Sequence, residues 1–213
     1  MGGTVRIIKY SYLIAALAVA VSFLTWGGAP TASYADDSSA VALAYGSSGW
    51  SYQQVAYGGD QGFEQPAYDA SKWLVGQAGF GTTDGRCSWN NTSQVKTSWD
   101  PGTDMLLRHQ LTIPAGATNV HITGTIDNNA DVYVNGSLVG SVQSGFCQSD
   151  AIDMDIPAAD IGASNLLAIR ATDLGDADFI DVQITYDAPA VAVISDSYTS
   201  VEYIEGFTAG PAG

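Results

Sequence analysis

Hydrophobic and polar residues alternate in short runs along the second half of the chain, and turn residues separate the runs. From Met105 to Ile113, Leu107, His109, Leu111 and Ile113 share one face, and Leu106, Arg108, Gln110 and Thr112 the other. Pro114 closes this run. From Asn119 to Ile126, Val120, Ile122 and Ile126 alternate with His121, Thr123 and Thr125. From Ala151 to Ile156, Ile152, Met154 and Ile156 alternate with Asp153 and Asp155. A period of two is the mark of a strand with one face buried. Asn135-Gly136 stands between Val132-Tyr133-Val134 and Ser137-Leu138-Val139, a dipeptide that makes a tight hairpin over 131–142. Leu166–Thr172 and Phe179–Tyr186 read as the last strands, and Ser51–Tyr57 as the first. Pro157–Gly162 reads as a short helical turn. Short strands at this spacing, divided by Gly, Asn and Asp, predict an all-β fold, an antiparallel jelly-roll β-sandwich.

The first residues do not belong to that pattern. Arg6 and Lys9 precede an apolar run from Tyr12 to Trp26, followed by Gly27, Gly28 and Pro30, and Ser33-Tyr34-Ala35 is small enough for a signal peptidase. The expected organisation is a signal peptide at 1–35, a short lead-in at 36–48, the sandwich at 49–186 and a tail or linker at 187–213. An uncleaved anchor is the alternative, because no charge falls between Lys9 and Asp36. With the signal cleaved, the protein is expected outside the cell or on its surface, with no membrane partner.

Charge narrows the partners. The 213 residues hold 7 basic against 22 acidic side chains, a net charge of −15. Removing Arg6 and Lys9 makes the balance more acidic still. Such a chain repels phosphate backbones, so nucleic acid is not an expected partner. Two cysteines in an exported chain, Cys87 and Cys147, read as a disulfide.

Several segments, in order, resemble the galactose-binding-like jelly rolls attached to many glycoside hydrolases and surface proteins. Trp50-Ser51-Tyr52 resembles their opening strand, and Asp69-Ala70-Ser71-Lys72-Trp73 their Asp-x-Ser-x-Trp turn. Ile126-Asp127-Asn128 with Val132-Tyr133-Val134-Asn135-Gly136 is similar to their hairpin, and Asn165-Leu166-Leu167-Ala168-Ile169-Arg170 to a later strand. The resemblance covers roughly residues 50–186. It implies a β-sandwich that binds sugars through loops at one end, with a structural calcium in some members and no organic cofactor.

The candidate chemistry is that of binding. The loop with Asp84, Arg86, Trp89, Asn90 and Asn91 joins an aromatic ring to planar polar side chains, the means by which proteins hold sugars. Trp89 packing over the Cys87–Cys147 bridge is the structural alternative. Asp127, Asn128 and Asp131 offer oxygens to calcium, or simply form the turn before the hairpin. Asp173, Asp176 and Asp178 make a second acidic loop. Asp153 and Asp155 are spaced like a glycosidase pair but are expected to face solvent. His109 is expected to be satisfied and partly buried, and His121 solvated. With no catalytic constellation in view, the expectation is a protein that is not itself an enzyme, or is an accessory part of a glycoside hydrolase. It would bind an extracellular glycan or surface polysaccharide. The competing expectation is a spacer or adhesion domain of a surface assembly with no small ligand.

Overall fold

The computed structural model describes residues 39–82, 95–175 and 177–189. Among these residues twelve strands make two sheets. In chain order they are β1 (Ser39–Leu43), β2 (Ser48–Val55), β3 (Leu74–Gln77), β4 (Phe80–Gly81), β5 (Thr97–Ser98) and β6 (Asp104–Leu111). β7 (Thr118–Asp127), β8 (Asn129–Val134), β9 (Ser137–Gln143), β10 (Gln148–Asp155), β11 (Asn165–Thr172) and β12 (Phe179–Asp187) follow. One sheet runs β10-β7-β12-β4-β5 with β1 also on β12, and the other runs β3-β2-β6-β11-β8-β9. All pairings are antiparallel except β4 with β5. The fold is an antiparallel jelly-roll β-sandwich.

The alternation in the sequence places the core between the sheets. Ile122, Ile126, Ile152 and Ile184 of one sheet meet Trp50, Leu107, Val132, Leu167 and Ile169 of the other, all essentially without solvent exposure. Each such side chain stabilises the fold by about 1.5–3 kcal/mol relative to an exposed one. Asn135 and Gly136 both adopt positive φ, 52° and 89°, as a two-residue hairpin turn requires. Asn135 also accepts the Leu166 N–H at 2.8 Å and donates to Asn165 Oδ1 at 3.0 Å, which pins the turn to β11.

Two features depart from the pattern. The stretch expected as a lead-in supplies β1, which pairs with β12, and the start of β2. β6 is buried on both faces, not one. Its outer face lies under the loop between β2 and β3, where Phe63 packs with Leu106 and Ala168, and Val55, Tyr68, Trp73 and Tyr133 close the edges of the cluster. The loop is fastened electrostatically as well. Arg108 donates to the carbonyl oxygens of Phe63 and Gln65. Arg170 donates to the Gly59 carbonyl at 2.8 Å and pairs with Asp104 at 2.7 Å. Each guanidinium thus satisfies carbonyls that the loop would otherwise bury unpaired.

Candidate functional site

The loop that covers β6 also builds a cleft of about 550 Å³. β3 pairs with β2 only as far as Tyr52, opposite Leu74. Beyond that point Gln53 and Gln54 form one wall of the cleft, and Asp60, Tyr68, Asp69, Lys72 and Trp73 of the loop form the other. Two rings set its shape. Tyr52 is held from the core side by Phe80, centroids 5.4 Å apart. Gly76 gives it room, since a Cβ there would come within 2.9 Å of the Tyr52 ring and 2.7 Å of Thr97 Oγ1. Trp73 stacks on Phe63 at 6.4 Å and meets the edge of Tyr68 at 5.6 Å. Both rings are partly buried, so their orientation is fixed while part of their surface stays open.

The polar groups of the cleft divide into those already engaged and those available. Tyr68 donates to Asp60 at 2.6 Å, and that hydrogen bond is the main reason its phenol is pushed above the usual range. Asp69 accepts the Ser71 N–H at 3.0 Å, and its bonds to Ser71 hold its carboxyl below the usual range. Gln54 accepts from the Asp100 N–H at 2.8 Å. Among the described residues the Gln53 amide makes no side-chain hydrogen bond and Lys72 no ion pair. The cleft therefore offers two oriented rings, an uncommitted amide, an ammonium group and carboxylate lone pairs to one ligand.

A larger groove of about 850 Å³ lies between the β6–β7 turn and the segment after β10. Its walls are small and aliphatic, Pro114, Ala117, Ile156 and Ile161 among them, and it holds no aromatic ring. It also carries Thr118, Asn119 and Asp155, but without an aromatic face it gives a sugar ring nothing to pack on.

Asp84, Arg86, Trp89, Asn90 and Asn91 lie outside the described residues, as does Cys87. No cysteine among the described residues is free. Two of the three calcium candidates have hydrogen-bond partners of their own. Asn128 spends its amide on Asp127 at 2.6 Å and its oxygen on the Leu174 N–H at 2.6 Å. Asp131 lies further along β8, opposite Arg170, and accepts from Ser141 at 2.6 Å. No cluster of three or more His, Cys, Asp or Glu suited to a metal occurs among the described residues.

Two histidine expectations have different outcomes. His109 is satisfied as expected, within 2.7 Å of the Gln110 carbonyl and 3.1 Å of that of Ser48. His121 is not simply solvated. Its Nδ1 lies 2.7 Å from Asp155 and its Nε2 2.7 Å from Asp153, because β10 pairs with β7 in the register that sets Asp155 opposite His121. Of the second acidic loop, Asp173 accepts the Gly102 and Gly175 N–H groups, while the buried Asp178 carboxylate makes no well-formed hydrogen bond among the described residues and is only partly relieved by the Thr82 backbone. Burial first, then the Asp173 charge, push Asp178 up to about 7.

The chain resembles segments of solved glycosidases. Bacteroides uniformis β-glucuronidase matches at 20% identity with a TM-score of 0.46, over 71% of this chain and 18% of that one. A β-glucuronidase of glycoside hydrolase family 2 matches at 16% identity and a TM-score of 0.46, over 70% and 18%. Bifidobacterium dentium β-glucuronidase, complexed with coumarin-3-O-glucuronide, matches at 18% and a TM-score of 0.42, over 65% and 21%. This chain thus spans about a fifth of the length of these enzymes. No protein-family model matches it, and no curated protein does. The expectation that the chain is not an enzyme is corrected here. The solved structures that resemble it are glycoside hydrolases, and likeness to a segment of an enzyme leaves no ground for that exclusion.

The residues of the cleft were missed by sequence reasoning, although their signal was present. Tyr52-Gln53-Gln54 and Asp69-Ala70-Ser71-Lys72-Trp73 interleave rings with amides and charges just as 84–91 does.

Proposed function

We propose that this chain is an exported, galactose-binding-like domain that holds an extracellular glycan in the cleft between the β2 edge and the β2–β3 loop. The observation that carries the reading is the convergence of Tyr52 and Trp73 with Gln53, Asp60 and Lys72 around one cleft. A pyranose presents C–H groups on its faces and hydroxyls on its rim. Ring faces take the first, and amide, carboxylate and ammonium groups take the second. The loop is already fixed by Phe63, Arg108 and Arg170, so little chain entropy is lost when a sugar binds. The signal-like N-terminus supports a place outside the cell.

Affinity electrophoresis against a set of plant, fungal and bacterial polysaccharides tests this. At least one polymer is expected to retard the protein, and Trp73→Ala to abolish the retardation while circular dichroism stays that of a β-protein. Retardation by no polymer, or retardation unchanged in Trp73→Ala, contradicts the reading.

A further inference from the structure

Charge around the cleft selects among glycans. Two carboxylates, Asp60 and Asp69, line it against one ammonium, Lys72. Asp69 stays ionised well into the acid range because Ser71 bonds its charged form. Lys72 is exposed on a flexible stem, so it can offset one of these charges but not both. Recognition of a sugar carboxylate or sulfate favours a guanidinium fork. The two described guanidinium groups are turned to other work, Arg108 to the Phe63 and Gln65 carbonyls and Arg170 to Asp104, and neither lines the cleft. Like charges brought together near a protein surface repel, which weakens the binding of an anionic sugar relative to a neutral one. Beyond the cleft the whole chain is acidic, with 22 carboxylate side chains against 7 basic ones. Its field opposes the approach of any polyanion when salt is low.

We infer that the cleft takes neutral, hydroxyl-rich glycans and rejects those bearing uronate or sulfate groups. This rests on the glycan reading above, and it adds the class of sugar. Neutral ligands gain from ring contact and hydroxyl hydrogen bonds, and neither depends much on ionic strength.

The test compares neutral, uronate-containing and sulfated polysaccharides as immobile phases at about 20 mM and about 300 mM salt, a range over which the Debye length shrinks several-fold. The expected result is retention on a neutral polymer that changes less than about twofold with salt, and none on the charged polymers at low salt. Stronger retention on a uronate or sulfated polymer, weakened by salt, overturns this inference and leaves the glycan reading standing. So does equal retention on neutral and charged polymers. Retention on none overturns the glycan reading itself.

Discussion

The Tyr68 hydroxyl donates to the Asp60 carboxylate at 2.6 Å across one turn of the β2–β3 loop. The bond sits where the second hydrophobic cluster meets the cleft, with the Arg108 guanidinium 5.5 Å from the Tyr68 ring on the other side. One residue thus packs against Trp73, closes the loop and orients a cleft carboxylate.

Tyr68→Phe keeps the ring and removes the donor. The expected cost is about 1 kcal/mol, seen as a fall in Tm of roughly 2–4 °C by calorimetry. Binding weakens too, because Asp60 loses its fixed direction. An unchanged Tm would show that the bond is not held in solution.

His121 makes a pH-dependent brace on the edge strand β10. Its pKa is raised, chiefly by the hydrogen bond with Asp155 and then by Asp153, with burial acting in the opposite sense. A raised histidine pKa means stability fully present below about 6.5 and lost as pH rises through the folded-state value. The expected Tm advantage of the native chain over His121→Gln is therefore present at pH 6 and gone by pH 9. Asp155→Asn should lower the His121 pKa in an NMR titration, because the largest of the contacts that raise it is removed.

Asp178 acts in the same direction along the pH axis, but as a penalty on the ionised carboxyl rather than as a brace. Its carboxyl is raised from 3.8 to about 7 by burial and by Asp173, so the fold prefers the neutral acid. The penalty begins as the unfolded chain ionises above 3.8 and is complete above about 7. Asp178→Asn should raise Tm by roughly 2–4 °C at pH 8, a gain on the order of 1 kcal/mol, and give no gain near pH 4. A loss of stability at pH 8 would show that the ionised carboxylate has a favourable partner.

The pairing of Cys87 with Cys147 would close a loop of about 60 residues. In the chain-entropy model such a link stabilises by ~4 kcal/mol. Peptide mapping without reductant should recover the two cysteines in one linked species, and reduction should lower Tm. Two separate thiol peptides would contradict the pairing.

What the sequence made legible were the features that depend on neighbours along the chain. The alternation of Val120, Ile122 and Ile126 and the positive-φ pair Asn135-Gly136 are local, and both reappear in β7 and the β8–β9 turn. The short strands β3, β4 and β5 have too few residues to display a period, and tertiary pairing alone makes them strands. The His121 brace depends on the register of β7 against β10, which neither strand encodes alone. Double burial of β6 depends on Phe63 folding back over Leu106, residues far apart in sequence. Trp73 packs on Phe63 and Tyr68 while its remaining surface lines the cleft, a double role that a position in a turn motif does not reveal.

The most direct measurement is a two-dimensional NMR titration with a neutral polysaccharide or its oligosaccharides, following the indole N–H signals. Trp50 and Trp99 are buried in the core and serve as internal references. Binding in the proposed cleft should move the Trp73 indole and the Gln53 side-chain amide while Trp50 and Trp99 stay in place. Movement of Trp89 with Trp73 unchanged would put the ligand elsewhere and contradict the account.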